Sequence, residues 1–279
     1  MAPIPVAIAY DFDGTLAPGN MQEHVFLPKL GISPQVFWEK SDRLASAQQG
    51  DPILAYMHLM LQEARHANLP MRRDDWIAHG RDITLFPGVE SWFERITAAA
   101  EARGIALQHY VISSGLRELI DGTSIRRHLA KVFASGFLYD ASDVAIAAAI
   151  AVNYTTKTQY LFRINKGALD IADNKAVNAY QSPEQRAVPF TNMVFIGDGD
   201  TDIPCFRLVK EQGGHSIAVY NPRDSHGPQR GRTLIEEGRV HCALAADYSE
   251  GGELEQRVLA VLDLLQARAL VMAPEVGKA

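Results

Sequence analysis

The stretch Val6-Ala7-Ile8-Ala9-Tyr10-Asp11-Phe12-Asp13-Gly14-Thr15-Leu16 decides the fold. Its unbroken apolar run, residues 6–10, reads as a strand buried on both faces, the habit of parallel sheets. The run ends in two carboxylates and a glycine. In an open α/β sheet, ligands bind beyond the carboxyl ends of the strands. Asp11 and Asp13 are poorly placed there for packing and well placed for catalysis, and Gly14 lets the chain leave the strand sharply. Taken alone, the stretch reads equally well as an Asp-rich turn.

A second stretch removes that ambiguity. The apolar run 193–196 enters Gly197-Asp198-Gly199-Asp200-Thr201-Asp202, and a helical pattern follows over 203–210. If both strands belong to one parallel sheet, both acidic turns lie at the same sheet edge and four or five carboxylates converge. Such a cluster is electrostatically unstable without a cation. Hard oxygen donors without His or Cys point to Mg²⁺ rather than Zn²⁺. The ligand spacing and closing Glu of an EF-hand are absent.

Two further elements suit phosphate. Val111-Ile112-Ser113-Ser114-Gly115 ends a strand in hydroxyls and small residues, read as leading into a helix N-terminus. Free backbone N–H groups and a Ser hydroxyl there suit phosphate oxygens, although Ser-Ser-Gly is also an ordinary helix cap. Lys157 follows Tyr154-Thr155-Thr156 and opens a helical pattern over 157–166. A Lys at a helix start opposes the dipole unless something anionic holds it. Lys166 and Lys175 compete for the same role, and a solvated surface Lys is the plain alternative for each.

Strand-like runs at 6–10, 107–112, 132–134, 193–196, 216–220 and 242–245 alternate with helical patterns at 91–103, 116–124 and 253–268. Ser182-Pro183-Glu184-Gln185 reads as a helix start with its capping box. The alanine-rich run 145–152 fits strand or helix. Alternation of this kind predicts an α/β fold, a three-layer Rossmann-like core with a parallel sheet covered on both faces. Residues 18–85 break the alternation with helical patterns at 34–47, 53–67 and 74–79, and with Asp51-Pro52 as a start signal. We expect 1–17 and 86–279 to form the core and 18–85 a smaller helical domain, with Leu85-Phe86-Pro87-Gly88 as the return hinge. Residues 274–279 read as a loose tail.

Composition excludes several classes. Of 279 residues, 47% are hydrophobic and 22% charged, which argues against disordered and fibrous chains. The net charge of −6 argues against nucleic acid and anionic membrane as main partners, though not against a phosphorylated small molecule beside a local cation. The longest apolar run, 144–152, is far short of the ~20 residues of a membrane span. No Lys or Arg precedes the first apolar run, so it does not read as a signal peptide. Cys205 and Cys242 show neither disulfide framework nor metal spacing. The expected setting is cytoplasmic and reducing. No pattern specifies an oligomeric state.

The four elements, in this order, resemble the haloacid dehalogenase-like hydrolase superfamily over roughly 4–16 and 86–268. The resemblance implies a nucleophile at Asp11, a general acid/base at Asp13, a phosphate-binding hydroxyl at Ser113 and the family's lysine at Lys157. It implies Mg²⁺ held by Asp11, Asp198 and the backbone carbonyl of Asp13, with Asp202 supporting. Ser113, Ser114, Gly115 and Lys157 would bind the phosphoryl group. The helical insertion resembles the C1-type cap of phosphoserine phosphatase relatives.

The implied activity is Mg²⁺-dependent hydrolysis of a small phosphomonoester, a phosphorylated metabolite, through an aspartyl-phosphate. A phosphomutase or phosphotransferase would share these motifs, and a non-catalytic phosphate sensor would share most of them. Asp13 argues against the sensor, and Asp13 with the second acidic turn argues against a dehalogenase. In the cap, Glu23, His24 and Arg43 are candidates for an amino or acidic group of the substrate, against a solvated helix face. Trp38, Trp76, Trp92 and Cys205 read as packing residues. Asn221-Pro222-Arg223 follows a strand and is a candidate border of the site.

Overall fold

The computed structural model describes residues 2–272; the expected tail at 274–279 lies outside them, as does the side chain of Asp200. Strand β1 (Ile4–Tyr10) is central, and its alternating residues feed opposite faces of the sheet. Val6, Ile8 and Tyr10 enter one apolar cluster, while Ala7 and Ala9 enter the other. This is the two-sided burial that its unbroken apolar run demands.

Six more strands complete the sheet: β2 (Ile105–Leu116), β3 (Leu129–Tyr139), β4 (Ala145–Ile150), β5 (Met193–Gly197), β6 (His215–Tyr220) and β7 (Cys242–Ala245). Their order is β4-β3-β2-β1-β5-β6-β7. All neighbours are parallel except β3 and β4. Chain order reverses at β1, which pairs with β2 on one side and β5 on the other. A crevice forms at such a switch point, beyond the strand ends.

Helices cover both faces. Val89–Glu101 and Glu253–Met272 bury Trp92, Phe93, Ile96, Val258 and Leu262 on one side. Lys157–Lys166 and Ile203–Glu211 bury Leu161, Ile164, Cys205 and Phe206 on the other. The result is the expected three-layer α/β core. No helix among the described residues is long and apolar enough to cross a membrane.

Between β1 and β2, residues 18–85 contain helices only: Pro34–Gln48, Pro52–His66 and Arg73–Gly80 answer to the expected patterns, and Met21–Val25 and Leu27–Leu30 add to them. The start signal at Asp51 works through its Oδ1, which accepts from Ile53 N at 2.8 Å and Leu54 N at 3.1 Å. Trp76 packs between Phe26 and, on β3, Phe137, with ring centroids 5.3 and 5.4 Å away. The apolar cluster on this face therefore runs from the sheet into the insertion without a break. At the return, Phe86 N donates to Leu16 O at 2.9 Å, tying the two crossings together.

Several local expectations change. The run 145–152 resolves as strand β4, an antiparallel edge strand with only Ala145 buried, so it carries no two-faced signal. The 116–124 helix shrinks to Arg117–Asp121 plus a 3₁₀ turn, Ser124–His128. The start signal at Ser182 yields only the 3₁₀ turn Pro183–Gln185, closed by Ser182 N donating to Gln185 Oε1 at 3.1 Å. Ser113-Ser114-Gly115 directly precedes Leu116, the N-cap of helix Arg117–Asp121, but is still in strand conformation. It forms the end of β2, with a register shift against β3 between Ser113 and Leu116.

Candidate active site

Asp11 follows β1 directly, and its N–H continues the pairing with β5 by donating to Ile196 O at 2.9 Å. The two acidic turns are thus fixed beside each other at the switch point. Gly14, at φ +72°, shows how closely they meet: a Cβ there would overlap the Asp198 carboxylate. Tyr248 Oη braces the first turn from below, donating to Thr15 O at 2.9 Å.

Lys157 is fully buried between the two turns. Its Nζ lies 2.9 Å from Asp11 Oδ2 and 2.8 Å from Asp202 Oδ1, and donates to Thr201 Oγ1 at 3.3 Å. Asp202 Oδ2 accepts from the N–H groups of Asp198 (3.1 Å) and Gly199 (3.4 Å), which shapes the second turn. Lys166 Nζ instead donates to Val177 O and Ala179 O, and Lys175 is exposed. Of the three lysines, Lys157 alone reaches Asp11.

One carboxylate oxygen from each of Asp11, Asp198 and Asp202 lies within 4.8 Å of the others. Burial would depress Lys157, but Asp11 and Asp202 outweigh it and hold the ammonium charged well above its usual range. That single cation serves several acids. Burial first, then the neighbouring Asp202, pushes the Asp11 carboxyl up. Burial and the charges of Asp202 and Asp11 push Asp198 well up. The excess negative charge fits a hard divalent cation, and every side-chain donor in the cluster is oxygen. Asp202 does not line the cleft, whereas Asp11 and Asp198 do, which leaves these two as the carboxylates facing it.

The Asp13 carboxylate stands outside this cluster; the expected metal contact of this residue is its backbone carbonyl. Its Oδ1 accepts from Met21 N at 2.8 Å, at the start of the inserted helices. Burial and the Asp11 charge hold its carboxyl well above the usual range. Ser113 is fully buried, and its Oγ accepts from Gly115 N at 3.0 Å. A Cβ at Gly115 would overlap Met21 and crowd Asp13 Oδ2, so only glycine lets β2 approach this closely.

A cleft of about 410 Å³ opens over these residues. Asp11, Asp13, Ser113, Ser114, Gly115 and Asp198 line it from the core. Gln22, Trp38, Ile53 and Tyr56 line it from the inserted helices, and Tyr220, Asn221 and Arg230 from beyond β6. Sequence reasoning flagged Asn221 but missed Gln22, Tyr56 and Arg230. Arg230 sits on helix Gly227–Glu236, and only the fold brings it to the second acidic turn.

Glu23, His24 and Arg43 do not line the cleft. Glu23 Oε1 accepts from Trp38 Nε1 and Asn20 Nδ2, both at 2.7 Å. His24 Nε2 meets Pro18 O at 2.6 Å, and Arg43 Nε donates to Glu39 O at 3.2 Å. Each of the three has a local contact at one atom. Trp76 and Trp92 pack as expected, whereas Trp38 both packs and faces the cleft.

An aspartate-terminated central strand, a buried lysine and a second acidic turn meet at the switch point of an α/β core. Residues 8–207 match the haloacid dehalogenase-like hydrolase family, and the chain belongs to it. A protein of Borreliella burgdorferi described as uncharacterized is 26% identical over 276 residues, covering 89% of this chain and 93% of that one. A phosphoserine phosphatase, solved as a phospho-aspartyl intermediate analogue, superposes with a TM-score of 0.53 at 14% identity, covering 88% of this chain and 94% of that one. A probable phosphoserine phosphatase from Vibrio cholerae gives 0.54 at 13%, covering 96% and 68%. At such identities the structural likeness shows the fold.

Proposed function

We propose that this protein hydrolyses small phosphomonoesters through an aspartyl-phosphate at Asp11. The observation that carries the reading is the seating of Asp11: at the end of the central strand, paired with Lys157, beside Asp198 and open to the cleft. Asp11, Asp198 and the backbone carbonyl of Asp13 would hold Mg²⁺, whose charge offsets the repulsion between a carboxylate nucleophile and a phosphate dianion. Asp11 attacks phosphorus, and the bond from phosphorus to the alcohol oxygen breaks. Asp13, whose carboxyl is pushed up by burial and the Asp11 charge, donates its proton to that oxygen. A water then attacks phosphorus, Asp13 takes its proton, and the bond to Asp11 breaks to release phosphate. Ser113, nearby backbone N–H groups and the Lys157 ammonium stabilise the phosphoryl oxygens.

The inserted helices would act as a cap whose opening admits substrate. Free, buried Cys205 and Cys242 suit a reducing compartment, and we place the activity in the cytoplasm. The test is phosphate release from p-nitrophenyl phosphate with Mg²⁺. Release that disappears in Asp11→Asn and with a chelator supports the reading; release undiminished in that variant overturns it.

A further inference from the structure

We infer that the substrate is the phosphate ester of a neutral, hydroxyl-bearing alcohol, of the sugar or polyol class, rather than of a charged amino acid. This rests on the reading of the site as a phosphomonoesterase. The charges lining the cleft are sharply divided. Asp11, Asp13 and Asp198 stand at the phosphoryl end, and Arg230, which lines the cleft with Asp198 and Gly199, is exposed and paired with Asp224 at 2.6 Å. The wall contributed by the inserted helices and the loop before them consists of Gly19, Asn20, Gln22, Trp38, Ile53 and Tyr56, none of them charged. Glu23 and Arg43 do not line the cleft; Glu23 Oε1 is bound by Trp38 and Asn20, and Arg43 Nε by Glu39 O on its own helix.

A leaving group with an ammonium and a carboxylate would leave water to meet this wall without a counter-charge, which is strongly unfavourable. The wall instead offers what a neutral hydroxylated group needs. Gln22 is 2% exposed, and its Oε1 is buried with no hydrogen-bond partner. The Ser114 hydroxyl across the cleft is likewise buried and unpartnered. A buried polar atom without a partner costs free energy, so an incoming hydroxyl that engages either one gains more than it loses in desolvation. Trp38 stands half-buried beside them, braced edge-on by Tyr56 with ring centroids 5.8 Å apart. An aromatic wall flanked by planar amides suits a molecule with one C–H face and a rim of hydroxyls.

The test compares kcat/KM of the full-length protein with Mg²⁺ for glycerol 3-phosphate, glucose 6-phosphate and O-phosphoserine, with p-nitrophenyl phosphate alongside. We expect at least one of the two neutral-alcohol esters to exceed phosphoserine by roughly tenfold or more. In Gln22→Glu, which adds a carboxylate to the wall, the ratio should move toward phosphoserine through KM. Hydrolysis of p-nitrophenyl phosphate with phosphoserine equal or preferred overturns this inference while the phosphatase reading stands. Failure to hydrolyse any of the four esters overturns both. The comparison on the unaltered protein decides the matter even if the variant does not fold.

Discussion

Lys157 and Asp202 form an ion pair at 2.8 Å in which neither side chain is exposed. Asp11 stays beside Lys157 at 2.9 Å when Asp202 is removed, so the cost falls below the ~3–5 kcal/mol of breaking a buried pair outright. Asp202→Ala also strips the acceptor from the N–H groups of Asp198 and Gly199. We expect a lower urea midpoint and a loss of phosphate release. Asp202→Asn, which keeps an acceptor for those groups, should lose less stability than the alanine variant. Equal denaturation midpoints for all three proteins would contradict the structural role given to this pair.

Gly14 joins two separate demands, a left-handed backbone and space for the Asp198 carboxylate. Gly14→Ala should cost about 1–2 kcal/mol in backbone strain and lower kcat at least about tenfold by displacing Asp198. Gly31 supplies the control. It is also left-handed, at φ +64°, but a Cβ there meets open space. Gly31→Ala should lose similar stability, read by thermal unfolding, with activity intact.

His109 predicts a pH dependence of stability away from the site. It is 3% exposed, contacts Tyr10 Oη at 3.0 Å and Thr97 Oγ1 at 3.1 Å, and packs against the Phe93 ring. Burial, helped by the charge of His128, pushes its imidazole down to about 3. The unfolded chain takes up a proton near pH 6.5 while the folded chain does not. Stability is therefore lost as pH falls below about 6.5, by up to ~1.4 kcal/mol per pH unit from this group. His109→Gln should show a flatter profile between pH 4 and 6 in urea titrations and an unchanged slope above pH 7. An identical acid slope in both proteins would refute this.

The legible parts of the molecule are those where chemistry and chain order coincide. The strands before Asp11 and Asp198 are short apolar runs that end in the residues they present, so the sequence shows scaffold and site together. Lys157 is legible for a related reason: a lysine at a helix start needs an anion. The rest depends on contacts distant in sequence. Strand β2 runs on through Ser113 and Gly115 because β3 pairs with it there, with Ser113 opposite Ala134 and Leu116 opposite Ser135. β4 hides behind alanines. On the inserted helices, neighbouring residues point about 100° apart, so Gln22 faces the cleft while Glu23 does not. The angle at which those helices meet the core decides which residue is presented, and sequence spacing does not encode it. Arg230 is the clearest instance, since its place beside Asp198 follows from the packing of a late helix.

The central claim is a covalent step at Asp11, and acid-quenched peptide mass mapping tests it most directly. A p-nitrophenolate leaving group needs little protonation, so Asp13→Asn should still be phosphorylated by p-nitrophenyl phosphate while losing the base for the second step. We predict a burst of nitrophenolate near one equivalent, followed by slow turnover, with a phosphoryl group on the peptide carrying Asp11. Steady phosphate release with that peptide unmodified throughout would contradict the account.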